Sequence, residues 1–202
     1  MPQQPIAGLI FDLDGTLVDS RLDFERMRQE IGLPKGQPIL EAIERMPEDR
    51  ARRCHAILDQ HELAGAERAR LMPGVAQLLA KLSARALPLG LVTRNSRAAT
   101  KRTLDRLGLH LDTVLAREDA PAKPDPTAIR MICDSWEIAP SRVVVIGDYR
   151  FDLEAGKRAG AWTVLYTRGR AVQELPFEAD PHLVMHDFRD LTPLLAWLDA
   201  PA

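Results

Sequence analysis

Phe11-Asp12-Leu13-Asp14-Gly15-Thr16-Leu17-Val18-Asp19-Ser20 follows directly on the aliphatic run Gly8 to Phe11, and this junction of apolar strand with acidic turn decides the fold. Extended backbone points side chains two residues apart to the same side, so Asp12 and Asp14 face one small volume at the carboxyl end of the strand. In open α/β sheets that end is where ligands bind. Gly15 lets the chain turn sharply away after the second carboxylate, and Thr16 adds a hydroxyl. Carboxylates held this close repel unless a cation or a shared proton offsets their charge. Mg2+ does so well, because it takes hard oxygen ligands and keeps waters that a phosphate can displace. Taken alone, the segment reads equally as an Asp-rich turn whose side chains cap local backbone groups.

Further short apolar runs recur on the carboxyl side: Leu87 to Val92, Val114 to Ala116, Arg142 to Ile146, Trp162 to Tyr166 and His182 to Met185. Their near-continuous apolarity is that of parallel strands covered on both faces. Helical patterns separate them. Pro73 and Gly74 open a stretch with Val75, Leu78, Leu79 and Leu82 at helical spacing. Ser96 is the N-cap of a helix ending near Gly108, Pro126 starts one carrying Ile129, Ile132 and Cys133, and a last helix carries Leu191, Leu194, Leu195 and Leu198. Pro176 to Pro181 is a loop. The alternation predicts an α/β fold, a doubly wound parallel sheet.

Ser20 to Leu71 interrupts the alternation with helical patterns and no convincing strand. Phe24, Met27 and Ile31 form one apolar stripe, Ile39, Leu40, Ile43 and Met46 a second, and Ala51, Cys54 and Leu58 a third that Pro47 can start. The loop around Gly32 to Pro38 divides the first two. A core of residues 1–19 and 72–202 with a small helical insertion at 20–71 is therefore expected. The ten basic residues of the insertion are balanced by ten acidic ones, the pattern of solvated faces and not of a basic binding patch.

Three more segments bring chemistry to strand ends. Leu91-Val92-Thr93-Arg94-Asn95 places a hydroxyl after the second core strand; Lys123 sits in Ala122-Lys123-Pro124-Asp125-Pro126; and Val144 to Asp152 carries Gly147-Asp148 and then Asp152. Each alone is weak, since a terminal Thr is commonly a cap and a lone Lys commonly solvated. Together they supply nucleophile, acid, hydroxyl, cation and metal ligand at successive strand ends.

With these four segments in order, the chain resembles the haloacid dehalogenase-like (HAD) hydrolases of the phosphoglycolate-phosphatase-like group. The matching motifs are Asp12-Leu13-Asp14-Gly15-Thr16, Thr93, Lys123 with Pro124, and Gly147-Asp148 with Asp152. The resemblance implies a Rossmann-like core with a helical cap at the insertion. It also implies a Mg2+-dependent phosphatase acting on a small phosphate ester, phosphoglycolate-like or a sugar phosphate. In that scheme Asp12 is the nucleophile, and Asp14 protonates the leaving alkoxide and then activates water. Mg2+ is held by Asp12, the Asp14 backbone carbonyl and Asp148. Thr93 and Lys123 bind the phosphoryl group, Arg94 and Asn95 are candidates for the leaving group, and Asp152 orients Lys123 or metal-bound water from behind.

Tyr149 stands where many relatives have Ser or Thr. Asp14 argues against dehalogenation, which has no alkoxide to protonate. A β-phosphoglucomutase-like mutase keeps both carboxylates and is the alternative within the group; a phospho-accepting receiver domain is the alternative outside it. The receiver would carry its phosphorylated Asp after a later strand and lack the insertion.

Composition excludes other classes. The 202 residues are 46% hydrophobic and 28% charged, with a formal charge of -2, so no excess of positive charge awaits a nucleic acid. The length fits a core of about 150 residues with about 50 more. Cys54 and Cys133 form no CxxC pair, and the five histidines form no zinc set; His182 and His186 share a face without further ligands. No apolar run reaches the roughly 18 residues that span a bilayer, and the first ten residues have no signal-peptide pattern. A cytoplasmic protein, monomer or weak dimer, with no membrane or nucleic acid partner, is expected.

Overall fold

A computed structural model describes residues 4–199; the ends of the expected core, 1–3 and 200–202, lie outside the described residues. Six strands form one parallel sheet: β1 (Gly8–Phe11), β4 (Leu89–Val92), β5 (Thr113–Leu115), β6 (Val143–Gly147), β7 (Trp162–Tyr166) and β8 (Leu183–Met185). Their order is β5-β4-β1-β6-β7-β8. Each of the six lies within two residues of a run expected from the sequence. β1 and β6 are buried along their whole length, which is why their sequences show no polar alternation.

The chain leaves β1 for β4 on one side and leaves β6 for β7 on the other, while β1 and β6 pair directly, Phe11 opposite Ile146. The connections diverge there, so a crevice opens above the carboxyl ends of β1 and β6, the switch point at which such sheets bind ligands.

Helices α4 (Val75–Ser83), α5 (Arg97–Leu107), α6 (Thr127–Ser135), α7 (Arg150–Ala159) and α8 (Thr192–Leu198) occupy the connections and the end. Ser96 caps α5 by accepting from the Ala99 N–H, and Gly108 ends it in the left-handed region. Ala128, Ile129, Ile132 and Cys133 of α6 join Ile10, Val92, Val143 and Val145 in one core cluster.

The insertion holds α1 (Phe24–Ile31), α2 (Ile39–Ile43) and α3 (Glu48–Arg68). Phe24, expected in the first buried stripe, stands at the first position of α1 and is 50% exposed, while Met27 and Ile31 are buried. A strand does occur where none was expected: β3 (Arg70–Leu71) pairs antiparallel with β2 (Val18–Asp19). Two residues are too few for alternation to register in a sequence.

The chain divides into two compact units, one of Met1–Asp19, Arg70–Arg94 and His110–Ala202, the other of Ser20–Ala69 with Asn95–Leu109. The second thus contains α5 beside the three insertion helices. Arg106 of α5 donates to the carbonyls of Ala66 and Ala69, and Arg102 pairs with Glu67 at 2.7 Å. No helix among the described residues is long and apolar enough to cross a membrane.

Candidate active site

Asp12 is the first residue beyond β1, and its backbone N–H still donates to Ile146 at 2.9 Å, which fixes it on the β6 side of the strand end. Asp148 is the first residue beyond β6, and Asp152 lies in the first turn of α7. Carboxylate oxygens of these three lie within 4.8 Å of one another. Two glycines make this approach possible. Gly15 has φ of +89°, and a Cβ there would fall 2.3 Å from an Asp148 carboxylate oxygen. A Cβ on Gly147 would fall 2.2 Å from the Asp152 carboxyl carbon. Any side chain at either position drives a carboxylate out of the cluster.

Lys123 reaches the same cluster from the loop after β5, through a cis Lys123–Pro124 peptide. It is 3% exposed, and its ammonium has three acceptors: Asp12 at 2.6 Å, Asp152 at 2.7 Å and the Val92 carbonyl at 2.6 Å. Burial alone would lower its pKa, but the carboxylates of Asp12 and Asp152 more than offset that and raise it, so the ammonium stays charged. One buried cation does not balance three carboxylates. Burial, reinforced by Asp152 and Asp148 and opposed by Lys123, pushes Asp12 up to about 8. Burial and then Asp152 push Asp148 up to about 7, against Arg168 and Lys123.

Asp152 also accepts from the Tyr149 N–H at 3.0 Å, so one side chain caps α7 and orients Lys123. Thr93 is buried at the end of β4, its N–H bonded to Leu115 at 3.0 Å. Arg94 donates to the Lys123 carbonyl and lies 4.6 Å from the Phe151 ring centroid. Tyr149 is 40% exposed, edge-on to Phe151 and Phe177. The Asp14 side chain is not one of the three clustered carboxylates; its residue bridges to Val18 in the turn that Gly15 opens. Asn95 is buried and belongs to the other unit.

The sequence reading missed Arg168. It follows β7 with φ of 56°, and its guanidinium stands 3.4 Å from Asp148. A single arginine after a strand carries no pattern that would single it out. The histidines are engaged elsewhere: His182 Nδ1 lies 3.1 Å from the Thr163 nitrogen, and His186 Nδ1 lies 2.9 Å from the Thr167 hydroxyl. Arg26, in the insertion, pairs with Glu30 at 2.9 Å.

The family described as haloacid dehalogenase-like hydrolase matches residues 21–166 of the chain, well over half of it. The protein belongs to this family. A haloacid dehalogenase-like hydrolase domain-containing protein of Arabidopsis thaliana is 34% identical, covering 79% of this chain and 70% of the relative. A phosphoglycolate phosphatase of Escherichia coli is 27% identical, covering 95% and 93%. Among solved structures, a hydrolase from Pseudomonas syringae superposes with a TM-score of 0.77 at 24% identity, covering 96% of this chain and 99% of that one. This haloacid dehalogenase-like hydrolase thus has the fold of its family, and its carboxylate cluster lies at the switch point of the sheet.

Proposed function

We propose that this hydrolase is a Mg2+-dependent phosphatase that cleaves a small phosphorylated metabolite, phosphoglycolate-like or a sugar phosphate, through an aspartyl-phosphate on Asp12. Family membership and the phosphatase relatives support the class, phosphoric monoester hydrolysis. The observation that carries the reading is the Asp12 carboxylate, 2.6 Å from a buried ammonium and clustered with Asp148 and Asp152 at the sheet's carboxyl edge.

The donor set fits a hard divalent cation. All three clustered side chains offer carboxylate oxygens, and the upward displacement of Asp12 and Asp148 marks negative charge short of a partner. Asp12 and Asp148, with the Asp14 carbonyl, would hold Mg2+, which supplies positive charge against the phosphoryl oxygens.

Asp12 attacks phosphorus; the new bond runs from its carboxylate oxygen, and the bond from phosphorus to the ester oxygen breaks. Asp14 gives a proton to the departing oxygen and then takes one from the water that attacks the aspartyl-phosphate, releasing inorganic phosphate and restoring Asp12. Lys123 and the Thr93 hydroxyl hold the phosphoryl oxygens, and Asp152 holds Lys123. Arg94 and Asn95 are assigned to the leaving group, and the helical insertion is assigned its selection.

Asp12→Asn is expected to abolish Mg2+-dependent hydrolysis of an aryl phosphate while the far-UV spectrum and thermal midpoint show a folded protein. Substantial turnover by that variant would remove Asp12 from the role of nucleophile. A panel of phosphorylated metabolites, with the variant as control, identifies the substrate.

A further inference from the structure

The buried stripe of α3 runs Cys54, Leu58, Glu62, Gly65, Ala66, so a carboxylate occupies a core position of a long helix whose other acidic residues lie at its surface or edge. Glu62 is only 6% exposed. Burying a carboxylate costs several kcal/mol unless it is paired or hydrogen-bonded. Here the Ser96 backbone N–H donates to it at 2.8 Å. Ser96 is the N-cap of α5, where the helix dipole favours a negative charge. Many helices satisfy the N-cap N–H with a Glu or Gln three residues on, but α5 has Ala99 there. Glu62 supplies from α3 the acceptor that α5 lacks in its own sequence.

We propose that Glu62 is a positioning residue for the phosphoryl-binding Thr93, a role that rests on the phosphatase reading above. Thr93, Arg94 and Asn95 form the bend between β4 and Ser96. The Thr93 N–H is tied to Leu115 at the start of this bend, and the Ser96 N–H is tied to Glu62 at its end. A β-branched side chain has few χ1 options, so the direction of the Thr93 hydroxyl follows the backbone of the bend. Anchoring both ends fixes that direction before substrate arrives.

The test compares wild type with Glu62→Ala, Glu62→Gln and Glu62→Asp, reading KM, kcat, inhibition by inorganic phosphate and the thermal midpoint. Ala removes the acceptor, Gln keeps it, and Asp keeps the charge but falls one methylene short. Expected is an increase of about tenfold in KM and in the phosphate inhibition constant for Ala and Asp, a smaller change in kcat, and recovery with Gln. Should Ala not fold, Asp and Gln carry the comparison. A lowered midpoint with unchanged KM and phosphate inhibition makes Glu62 merely structural and overturns the proposal. Wild type that neither hydrolyses phosphate esters nor binds phosphate overturns the phosphatase reading itself, and the proposal with it.

Discussion

At the scale of single residues, Asp12 and Asp148 hold protons in the folded chain that an unfolded carboxylate, with its ordinary value of 3.8, has already released. Folding stability therefore falls as pH rises from the ordinary carboxylate range through the raised values of about 7 and about 8. With a chelator present, the wild-type thermal midpoint is expected to drop between about pH 5 and about pH 8.5, at roughly 2–4 °C per kcal/mol for a chain of this size. Asp148→Asn removes part of that slope and raises the midpoint at the alkaline end. Mg2+ restores the wild-type midpoint there, because it supplies the charge that the proton otherwise provides. Thermal scans across pH decide this, and a flat chelated wild-type profile would contradict it.

At the scale of elements, the turn from β6 into α7 does two things with one side chain, since Asp152 caps the helix and holds Lys123. Gly147→Ala places a methyl where the Asp152 carboxyl stands, and it is expected to cost about 1–3 kcal/mol of stability. It should also cost on the order of a hundredfold in kcat/KM, because Lys123 is displaced. Denaturant titration and steady-state kinetics measure the two losses. The six strands and four acidic or basic segments were legible because each is a run of several residues in a repeating or turn-forming pattern. The pairing of β2 with β3 was not, since two residues carry no period. Nor were Glu62 and Arg168, whose roles depend on partners 34 and 20 residues away and on no local motif. The third insertion stripe was followed only to Leu58 because the next core position holds a charge.

At the scale of the whole molecule, packing and chain order divide the protein differently. The sequence suggests an insertion closing at residue 71, whereas α5, some 25 residues further on, packs in one unit with the insertion helices. Cooperative opening follows packing. Gly65→Val is a direct probe, because a Cβ at Gly65 would meet Leu22 at 2.8 Å. Hydrogen exchange is expected to quicken in α3 and α5 together in this variant while β1 and β6 keep their protection. Unchanged exchange in α5 would show that the two helices open independently.

The lysine at the centre of the site has a fixed valence. An ammonium has three N–H groups, and Lys123 has already committed them to Asp12, Asp152 and the Val92 carbonyl. An arriving phosphoryl oxygen can therefore be served only by exchange or by sharing. If the bond to Asp12 yields, the carboxylate that must attack is released at the moment its target is grasped.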